Sequence, residues 1–349
     1  MHRELDKENM FGAIWNFPEN LKEAHHIGSQ ISLKQEYSEI LNIVIVGMGG
    51  SAIGGDVVSV LEENNIKVPL IVCRGYSIPE WVTNKTLVIL SSYSGNTEET
   101  LSSLDDAIRK RAVLCGLTTG GILAERLEKL KADVIIIPSG LQPRAALAYS
   151  FIPIIKLLEK IGLIKTNIDS WIQKSIESIS SKRSLYSIDR DDNPIMKLSK
   201  SIYKKIPIIY SDTSTMKVAG VRLKGQICEN SKMLSYFNEL PEQNHNEIVG
   251  WENNPELFNY LFVIWLVDKS DNPRTKLRTR ITQTILSEKD VDQTIIRVDG
   301  DSFQERFLNI IHYGDWLSFW CAILHNTNPS PVTNIDRLKK TLMSNNDPR

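Results

Sequence analysis

A glycine-rich segment at residues 47–55 directly follows an apolar run at 43–46 and is the first candidate for chemistry in the sequence. Glycines allow the backbone to approach a ligand closely, and a glycine-rich turn that opens a helix presents free N–H groups to an anion. Gly49, Gly50 and Ser51 are the candidate contacts. A dinucleotide is the alternative ligand, but the G-x-G-x-x-G spacing is absent and no acidic residue ends the next apolar run. The segment therefore favours a phosphate group.

Hydroxyl side chains cluster in a second segment, residues 91–100, which follows another apolar run. Ser92, Ser94 and Thr97 stand where a strand is expected to give way to a helix. Ligands of open α/β sheets bind outside the carboxyl ends of the strands, and hydroxyl and N–H groups there can hold a phosphate without a fixed cation. One hydroxyl would be explained as a helix cap. Three of them near a second glycine-rich strand end favour a ligand.

Alternating apolar and amphipathic segments predict the elements that position these residues. Apolar runs rich in β-branched residues are typical of buried parallel strands, and the amphipathic stretches between them are typical of crossover helices. In the first half, strands are predicted at 43–46, 70–73, 86–92, 112–117 and 133–137, with a closing helical segment at 143–161. In the second half, strands are predicted at 206–211, 261–267 and 294–298, and helices near 214–230, 273–288, 302–325 and 333–343.

This pattern predicts an α/β fold of two tandem doubly wound parallel-sheet domains, each an α/β/α sandwich. A polar, serine-rich stretch separates the two halves. We expect a first domain at 1–160 with an N-terminal helical segment, a helical linker at 161–192, and a second domain at 193–349 with a C-terminal helix. A length of 349 residues fits two such domains.

Composition and charge exclude several classes of protein. Lys and Arg together number 41 against 42 acidic residues, so the net charge of -1 gives no attraction to nucleic acid or anionic lipid. Apolar runs are far shorter than a membrane span, and the amino terminus has no signal-peptide core. The four cysteines form no CxxC pair, so neither a zinc cage nor a disulfide framework is indicated. We expect a cytoplasmic protein with no metal, no cofactor, and no nucleic-acid or membrane partner.

Five motifs make the sequence resemble a known family of enzymes. They are GMGGSAIGG at 47–55, SYSGNTEET at 92–100, PRAALAY at 143–149, CENSK at 228–232 and PEQNHNEIVG at 241–250. The first two resemble the sugar-isomerase (SIS) domain of phosphosugar isomerases and binding proteins. The whole set, in this order, resembles the bifunctional phosphoglucose/phosphomannose isomerases. The resemblance implies two SIS-type domains and an aldose–ketose isomerase that interconverts glucose 6-phosphate, and mannose 6-phosphate, with fructose 6-phosphate through a cis-enediolate.

The resemblance also implies roles for individual residues. Glu229 matches the catalytic base, Arg144 matches an arginine aimed at the reacting carbons, and His245 matches the ring-opening histidine. In this family that histidine reaches the site from the partner subunit of a homodimer. Six residues match the positions that hold the sugar and its phosphate: Gly49, Gly50, Ser51, Ser92, Ser94 and Thr97.

Near the carboxyl end, Thr333 matches a sugar-contacting threonine and Lys340 a catalytic lysine, with Lys339 as the adjacent alternative. A threonine, where single-function phosphoglucose isomerases carry a bulkier glutamine, leaves space for a water and implies use of both epimers. Elementary chemistry agrees with these residue types. One carboxylate can move the proton between C2 and C1, a fixed positive charge stabilises the enediolate oxygen, and a histidine suits ring opening near neutral pH.

Two alternatives from the sequence remain beside the bifunctional enzyme. One is a strict phosphoglucose isomerase, which would not turn over mannose 6-phosphate. The other is a non-catalytic SIS protein that binds a sugar phosphate. SIS regulators usually carry a DNA-binding helix-turn-helix, for which the sequence has no spare basic segment. Glucosamine 6-phosphate chemistry is a further option, but an amidotransferase domain is not recognisable.

Overall fold

The computed structural model describes residues 2–344, and the first half of that range forms a five-stranded parallel sheet. Its strands are β1 (Asn42–Val46), β2 (Leu70–Cys73), β3 (Thr86–Ser91), β4 (Val113–Thr118) and β5 (Asp133–Ile136). Its helices are α1 (His2–Leu5), α2 (Met10–Trp15), α3 (Phe17–Ser29), α4 (Gly49–Glu62), α5 (Glu98–Arg109), α6 (Gly121–Lys129) and α7 (Leu147–Lys160). All five strands predicted from apolar runs in this half are confirmed.

The order of this sheet is β2-β1-β3-β4-β5, so the direction of winding reverses between β1 and β3. These two central strands consist almost wholly of buried apolar side chains, which is why their positions were readable from the sequence. Their carboxyl ends meet at the reversal point, where open α/β sheets bind ligands. The two segments predicted to hold a phosphate, at 47–55 and 91–100, follow these two strands.

The second half contains a four-stranded parallel sheet in the order β7-β6-β8-β9. Its strands are β6 (Ile206–Asp212), β7 (Tyr236–Leu240), β8 (Leu261–Leu266) and β9 (Gln293–Ile296). Its helices are α8 (Asp169–Tyr186), α9 (Pro194–Ser201), α10 (Lys217–Ser231), α11 (Glu247–Gly250), α12 (Pro273–Ser287), α13 (Phe303–Leu324) and α14 (Thr333–Ser344). Short 3₁₀ turns occur at Pro143–Ala145, Glu242–His245 and Pro255–Tyr260.

The strand β7 was not predicted. It lies at the edge of its sheet and is only five residues long, with the polar residues Asn238 and Glu239 in its middle. An edge strand needs no continuous apolar run because one of its sides is not covered by a neighbour. The apolar pattern that identified the central strands is therefore absent here.

One hydrophobic core joins the two halves of the chain. Its centre is α13, which is buried on nearly every side and packs against α8, α9 and α10. Trp316 and Trp320 are fully buried there. Their indole N–H groups donate to His312 and to the carbonyl of Tyr186. The helix α8 lies inside the segment 161–192 that was expected to be a helical linker, and it packs against α13. The division into domains therefore stays a prediction.

None of the helices in the described part of the chain is long and apolar enough to span a membrane.

Candidate active site

The glycine-rich segment forms the start of α4, immediately after β1. Gly49 and Gly50 are the first two residues of the helix, so their N–H groups have no carbonyl within the helix to bond. Gly49 has a φ of 51°, in the left-handed region that glycine adopts without strain. Gly50 lies so close to the Pro143 carbonyl that an added Cβ would be 2.6 Å from its oxygen. The start of α4 therefore packs closely against the 3₁₀ turn at 143–145.

The hydroxyl-rich segment forms a turn between β3 and α5, next to the start of α4. The Ser51 hydroxyl accepts a hydrogen bond from the Tyr93 N–H at 3.2 Å, which joins the two segments. Ser92 and Thr97 face each other across the turn, with their hydroxyl oxygens 2.9 Å apart. Ser94 is exposed beside them. The structure thus brings together the residues predicted to hold a phosphate, at the reversal point of the first sheet.

The conformation of this turn depends on a close backbone approach. Gly95 has a φ of 71°, and an added Cβ would lie 1.8 Å from the Gly120 carbonyl oxygen. The Gly95 carbonyl in turn accepts a hydrogen bond from the Leu123 N–H at 2.9 Å. The hydroxyl turn is therefore held rigidly against the loop that follows β4.

Arg144 lies on the 3₁₀ turn after β5 and is 5% exposed. Its Nε donates to the Asn230 side-chain oxygen at 2.6 Å, and its Nη2 donates to the carbonyls of Pro329 and Ser330 at 2.8 and 2.7 Å. Its Nη1 lies 3.4 Å from a carboxylate oxygen of Glu229. Burial lowers the pKa of Arg144, whereas Glu229 raises it. An arginine stays protonated at neutral pH even so, which makes Arg144 a fixed, pre-oriented positive charge.

Glu229 is near the carboxyl end of α10, and its side chain is 36% exposed. The carboxylate points to Arg144, which comes from the opposite half of the chain, 85 residues earlier. The 3.4 Å separation is long for a charge-assisted hydrogen bond. Glu229 is therefore oriented by a positive charge without being fully engaged by it.

A cleft of about 200 Å³ separates α4 from α10. Four basic side chains and one acidic side chain contribute to its lining, so its electrostatic character favours an anion. The polar and charged side chains that line it are Arg74, Arg144, Arg222, Lys224, Gln226 and Glu229, together with Gly49 and Gly50 at the start of α4.

The backbone under Arg144 is held by a buried ion pair that was not predicted. Arg222 Nη2 donates to both carboxylate oxygens of Asp315, at 2.8 and 2.9 Å, and to the Arg144 carbonyl at 3.0 Å. Gln226 adds a hydrogen bond to Asp315 at 2.7 Å. Burial raises the pKa of Asp315, and Arg222 opposes that shift. The sequence signal for this cluster was a four-residue spacing along α10, which places Arg222, Gln226 and Asn230 on one face of the helix.

Seven of the predicted site residues are not among those that line the cleft in a single chain: Ser51, Ser92, Ser94 and Thr97 of the two segments predicted to hold a phosphate, and His245, Thr333 and Lys340. His245 is exposed on the 3₁₀ turn after β7 and is not among the cleft-lining residues. Thr333 and Lys340 share one face of α14, where they line a separate groove. Lys339 does not line that groove. The segment that leads into α14 is nevertheless anchored at the cleft, through the bonds from Arg144 to residues 329–330.

The described range 2–344 holds no group of three or more His, Cys, Asp or Glu side chains placed to bind a metal ion.

The chain is similar to phosphoglucose isomerases, both in a family model and in individual relatives. Residues 191–342 match the family model described as the bacterial phospho-glucose isomerase C-terminal SIS domain. A bifunctional phosphoglucose/phosphomannose isomerase of Caldicellulosiruptor bescii is 43% identical over 95% of this chain and 98% of its own length. One of Aquifex aeolicus is 36% identical over 86% and 90%.

Solved structures confirm the predicted SIS-type fold. The C-terminal domain of glucosamine-fructose-6-phosphate aminotransferase from Francisella tularensis superimposes with a TM-score of 0.71 at 17% identity, over 92% of this chain and 98% of that one. Tagatose-6-phosphate ketose/aldose isomerase from Escherichia coli gives a TM-score of 0.70 at 12% identity, over 92% and 94%.

Proposed function

The chain belongs to the family of bifunctional phosphoglucose/phosphomannose isomerases, and from that premise we propose how its own residues carry out the reaction. It is an aldose–ketose isomerase that interconverts glucose 6-phosphate and mannose 6-phosphate with fructose 6-phosphate. The observation that supports our assignment of residues is the contact between Arg144 and Glu229, from opposite halves of the chain, beside the glycine-rich start of α4.

Glu229 acts as the base that takes the proton from one sugar carbon and returns it to the next. Isomerisation moves one proton between C2 and C1, so a single carboxylate within reach of both carbons is sufficient. The long contact to Arg144 keeps the carboxylate directed into the cleft and leaves it free to accept a proton. The same enediolate arises from both epimers, so one base serves glucose 6-phosphate and mannose 6-phosphate.

Arg144 stabilises the negative charge that develops on the enediolate oxygen. Three of its N–H groups are bound by Asn230 and by the carbonyls of residues 329–330, so the guanidinium cannot rotate away. A donor that is already oriented costs no reorganisation when the charge forms. The Nη1 group, which faces Glu229, is the part of the guanidinium left for the substrate.

The phosphate binds between the start of α4 and the hydroxyl turn. Gly49 and Gly50 offer free N–H groups, and Ser92, Ser94 and Thr97 offer hydroxyls, while Ser51 joins the two segments. Binding energy from the phosphate, which does not react, holds the sugar carbons against Glu229 and Arg144.

The first experiment replaces the base. Glu229→Gln keeps the size of the side chain but removes its basicity, so we expect turnover of fructose 6-phosphate to fall at least 1,000-fold, or about 4 kcal/mol in barrier. Binding of a non-isomerisable sugar-phosphate analogue should stay within about threefold. Glu252→Gln, at an exposed position, is the matched control. Residual turnover within tenfold of the parent would reject Glu229 as the base.

Following both aldose products in that assay separates the bifunctional enzyme from a strict phosphoglucose isomerase. We expect fructose 6-phosphate to yield glucose 6-phosphate and mannose 6-phosphate at rates that EDTA leaves unchanged. Formation of glucose 6-phosphate alone would remove the second activity. Loss of either product on chelation would contradict a metal-free mechanism.

His245 completes the site from the partner subunit of a homodimer. In one chain it is exposed on the 3₁₀ turn after β7 and does not line the cleft, which supports its delivery to the Glu229 of a second chain. At the site it protonates the ring oxygen of the closed sugar. His245→Ala should therefore slow turnover of ring-closed substrate far more than that of the open-chain form.

A pair of heterodimers tests the shared site. A dimer of one Glu229→Gln chain and one His245→Ala chain contains one intact site, so it should keep about half of the parent turnover. A dimer of one unchanged chain and one chain that carries both substitutions contains no intact site and should be inactive. If each site used residues of one chain only, these two outcomes would be exchanged.

Thr333 contacts the sugar and Lys340 assists proton transfer at ring opening. Both lie on one face of α14, and the carbonyls just before that helix are bonded to Arg144. Lys340→Ala should reduce turnover at least tenfold, whereas Lys339→Ala should stay within threefold. Equal effects of the two substitutions would exclude a specific role for Lys340.

A further inference from the structure

Lys232 directly follows the last residue of α10, three positions after Glu229, and its side chain folds back over the end of that helix. It has a φ of 55°, the left-handed conformation common at helix ends. Its ammonium donates to the carbonyls of Glu229 at 2.7 Å and Asn230 at 3.3 Å. Carbonyls in the last turn of a helix have no partner within the helix. Part of the role of Lys232 is therefore that of a helix cap.

A third hydrogen bond of Lys232 goes beyond capping. The ammonium also donates to the carbonyl of Pro329 at 3.0 Å, nearly a hundred residues further along the chain. The same carbonyl oxygen accepts from Arg144 Nη2 at 2.8 Å. One backbone oxygen thus ties the proposed oxyanion-binding arginine to the helix end that carries the proposed base. A lysine that served only as a cap would not need to reach Pro329.

The Lys232 ammonium and the Arg144 guanidinium both donate to the Pro329 carbonyl oxygen, and neighbouring charges affect the pKa of Lys232. The positive charge of Arg144 disfavours the protonated form of Lys232. The carboxylates of Glu229 and Glu8 favour it. Burial and Arg144 lower the pKa of Lys232 to about 8. The ammonium therefore has three N–H groups for three carbonyls below pH 8. Above that pH the neutral amine has only two N–H groups, and each bond loses its charge assistance.

We propose that Lys232 is a positioning residue for the isomerisation, which fixes the main chain of Glu229 relative to Arg144 and to the segment that leads into α14. The proposal rests on the roles given above to Glu229 and Arg144. Lys232 does not touch the reacting carbons. It acts by holding the distance between the base and the oxyanion-binding group, because a displacement of about 1 Å between such groups can cost on the order of 100-fold in rate.

Two variants test the proposal, with kcat and KM measured for fructose 6-phosphate between pH 6 and pH 9.5. Lys232→Met keeps the apolar stem and removes the donors, so we expect kcat at pH 7 to fall at least tenfold with KM within about threefold. Lys232→Arg restores donors that do not titrate in this range. It should keep kcat at pH 7 within about threefold and lack the decline in kcat that we expect of the parent as the pH rises through about 8.

Lys67→Met is the matched control for loss of a lysine that donates to a backbone carbonyl. Lys67 Nζ donates to the Gly162 carbonyl at 2.8 Å, and both residues lie outside the five motifs, so the loss of Lys67 should leave kcat unchanged. Urea unfolding of each variant shows that the assayed protein is folded. A Lys232→Met variant with kcat within threefold of the parent, or a Lys232→Arg variant whose alkaline decline stays at the parent's pH, would overturn the proposal.

Glu229→Gln measured in parallel separates this proposal from the one it rests on. If Glu229→Gln is inactive while Lys232→Met retains full kcat, only the positioning role fails. If Glu229→Gln retains activity, the assignment of the base fails first, and the positioning role fails with it.

Discussion

A single methyl group at Gly50 should separate the start of α4 from the 3₁₀ turn that carries Arg144. Gly50 is the second residue of α4, and an added Cβ would lie 2.6 Å from the Pro143 carbonyl oxygen, 3.0 Å from its carbon and 3.4 Å from the Arg144 nitrogen. All three atoms belong to the backbone of the 3₁₀ turn that carries Arg144. They cannot rotate away as the end of a flexible side chain could.

The size of the effect follows from these distances. Ordinary van der Waals contact begins near 3.4 Å, so α4 and the Arg144 turn must separate by about 0.8 Å to admit the methyl group. Arg144 is also bonded to Asn230 and to residues 329–330, so part of this displacement reaches the arginine and part reaches the phosphate site. A misplacement near 1 Å costs on the order of 100-fold, which is about 2.7 kcal/mol in barrier.

The assay is the steady-state conversion of glucose 6-phosphate to fructose 6-phosphate. We expect Gly50→Ala to lower kcat/KM about 100-fold while the protein still unfolds cooperatively in urea. Gly225→Ala is the matched control, because this glycine on the α10 side of the cleft has no heavy atom within 4 Å of an added Cβ. We expect it to change kcat/KM by less than threefold. Turnover by Gly50→Ala within threefold of the parent would refute the argument from close backbone approach.

Two further predictions concern stability. Asp271 is buried near Asp212, and burial raises its pKa to about 6, so the parent loses stability as the pH rises through about 4 to 6. Asp271→Asn does not titrate, so its free energy of unfolding relative to the parent should be about 1.5 kcal/mol higher at pH 8 than at pH 5 in urea unfolding. An equal effect at both pH values would contradict this. Asp315→Asn should lower the free energy of unfolding by about 3–5 kcal/mol, because it leaves Arg222 charged and buried. Asp192→Asn, in an exposed ion pair, should change it by less than about 1 kcal/mol, and similar losses for both would refute the role of burial.

Local sequence was sufficient to predict an element when the residues of that element alone show a clear apolar pattern. The strands β1 and β3 are buried on both faces, so their apolar runs identified them without any knowledge of their neighbours. Glycines and hydroxyls directly after those strands predicted the phosphate site, because the topology of a doubly wound sheet brings the ends of β1 and β3 together. The edge strand β7 lacked such a run and was missed.

The sequence did not predict which distant segments contact each other. Arg144 and Glu229 were singled out by motif, yet their contact depends on how α13 packs the two halves into one core. The groups that orient them gave no motif of their own, because a buried carboxylate or a backbone carbonyl acquires a partner only when the chain is folded. Asp315 under Arg222 and the Pro329 carbonyl between Lys232 and Arg144 are examples.

The linear pattern was therefore enough to identify the fold class and to predict which segments hold the phosphate and which residue types carry the reaction. These depend on periodicity and short spacing, which a linear pattern records. Only the tertiary structure decided how a guanidinium and a carboxylate 85 residues apart come within 3.4 Å, and which carbonyls hold them there. Such distances are set by the packing of whole helices and not by the order of neighbouring residues.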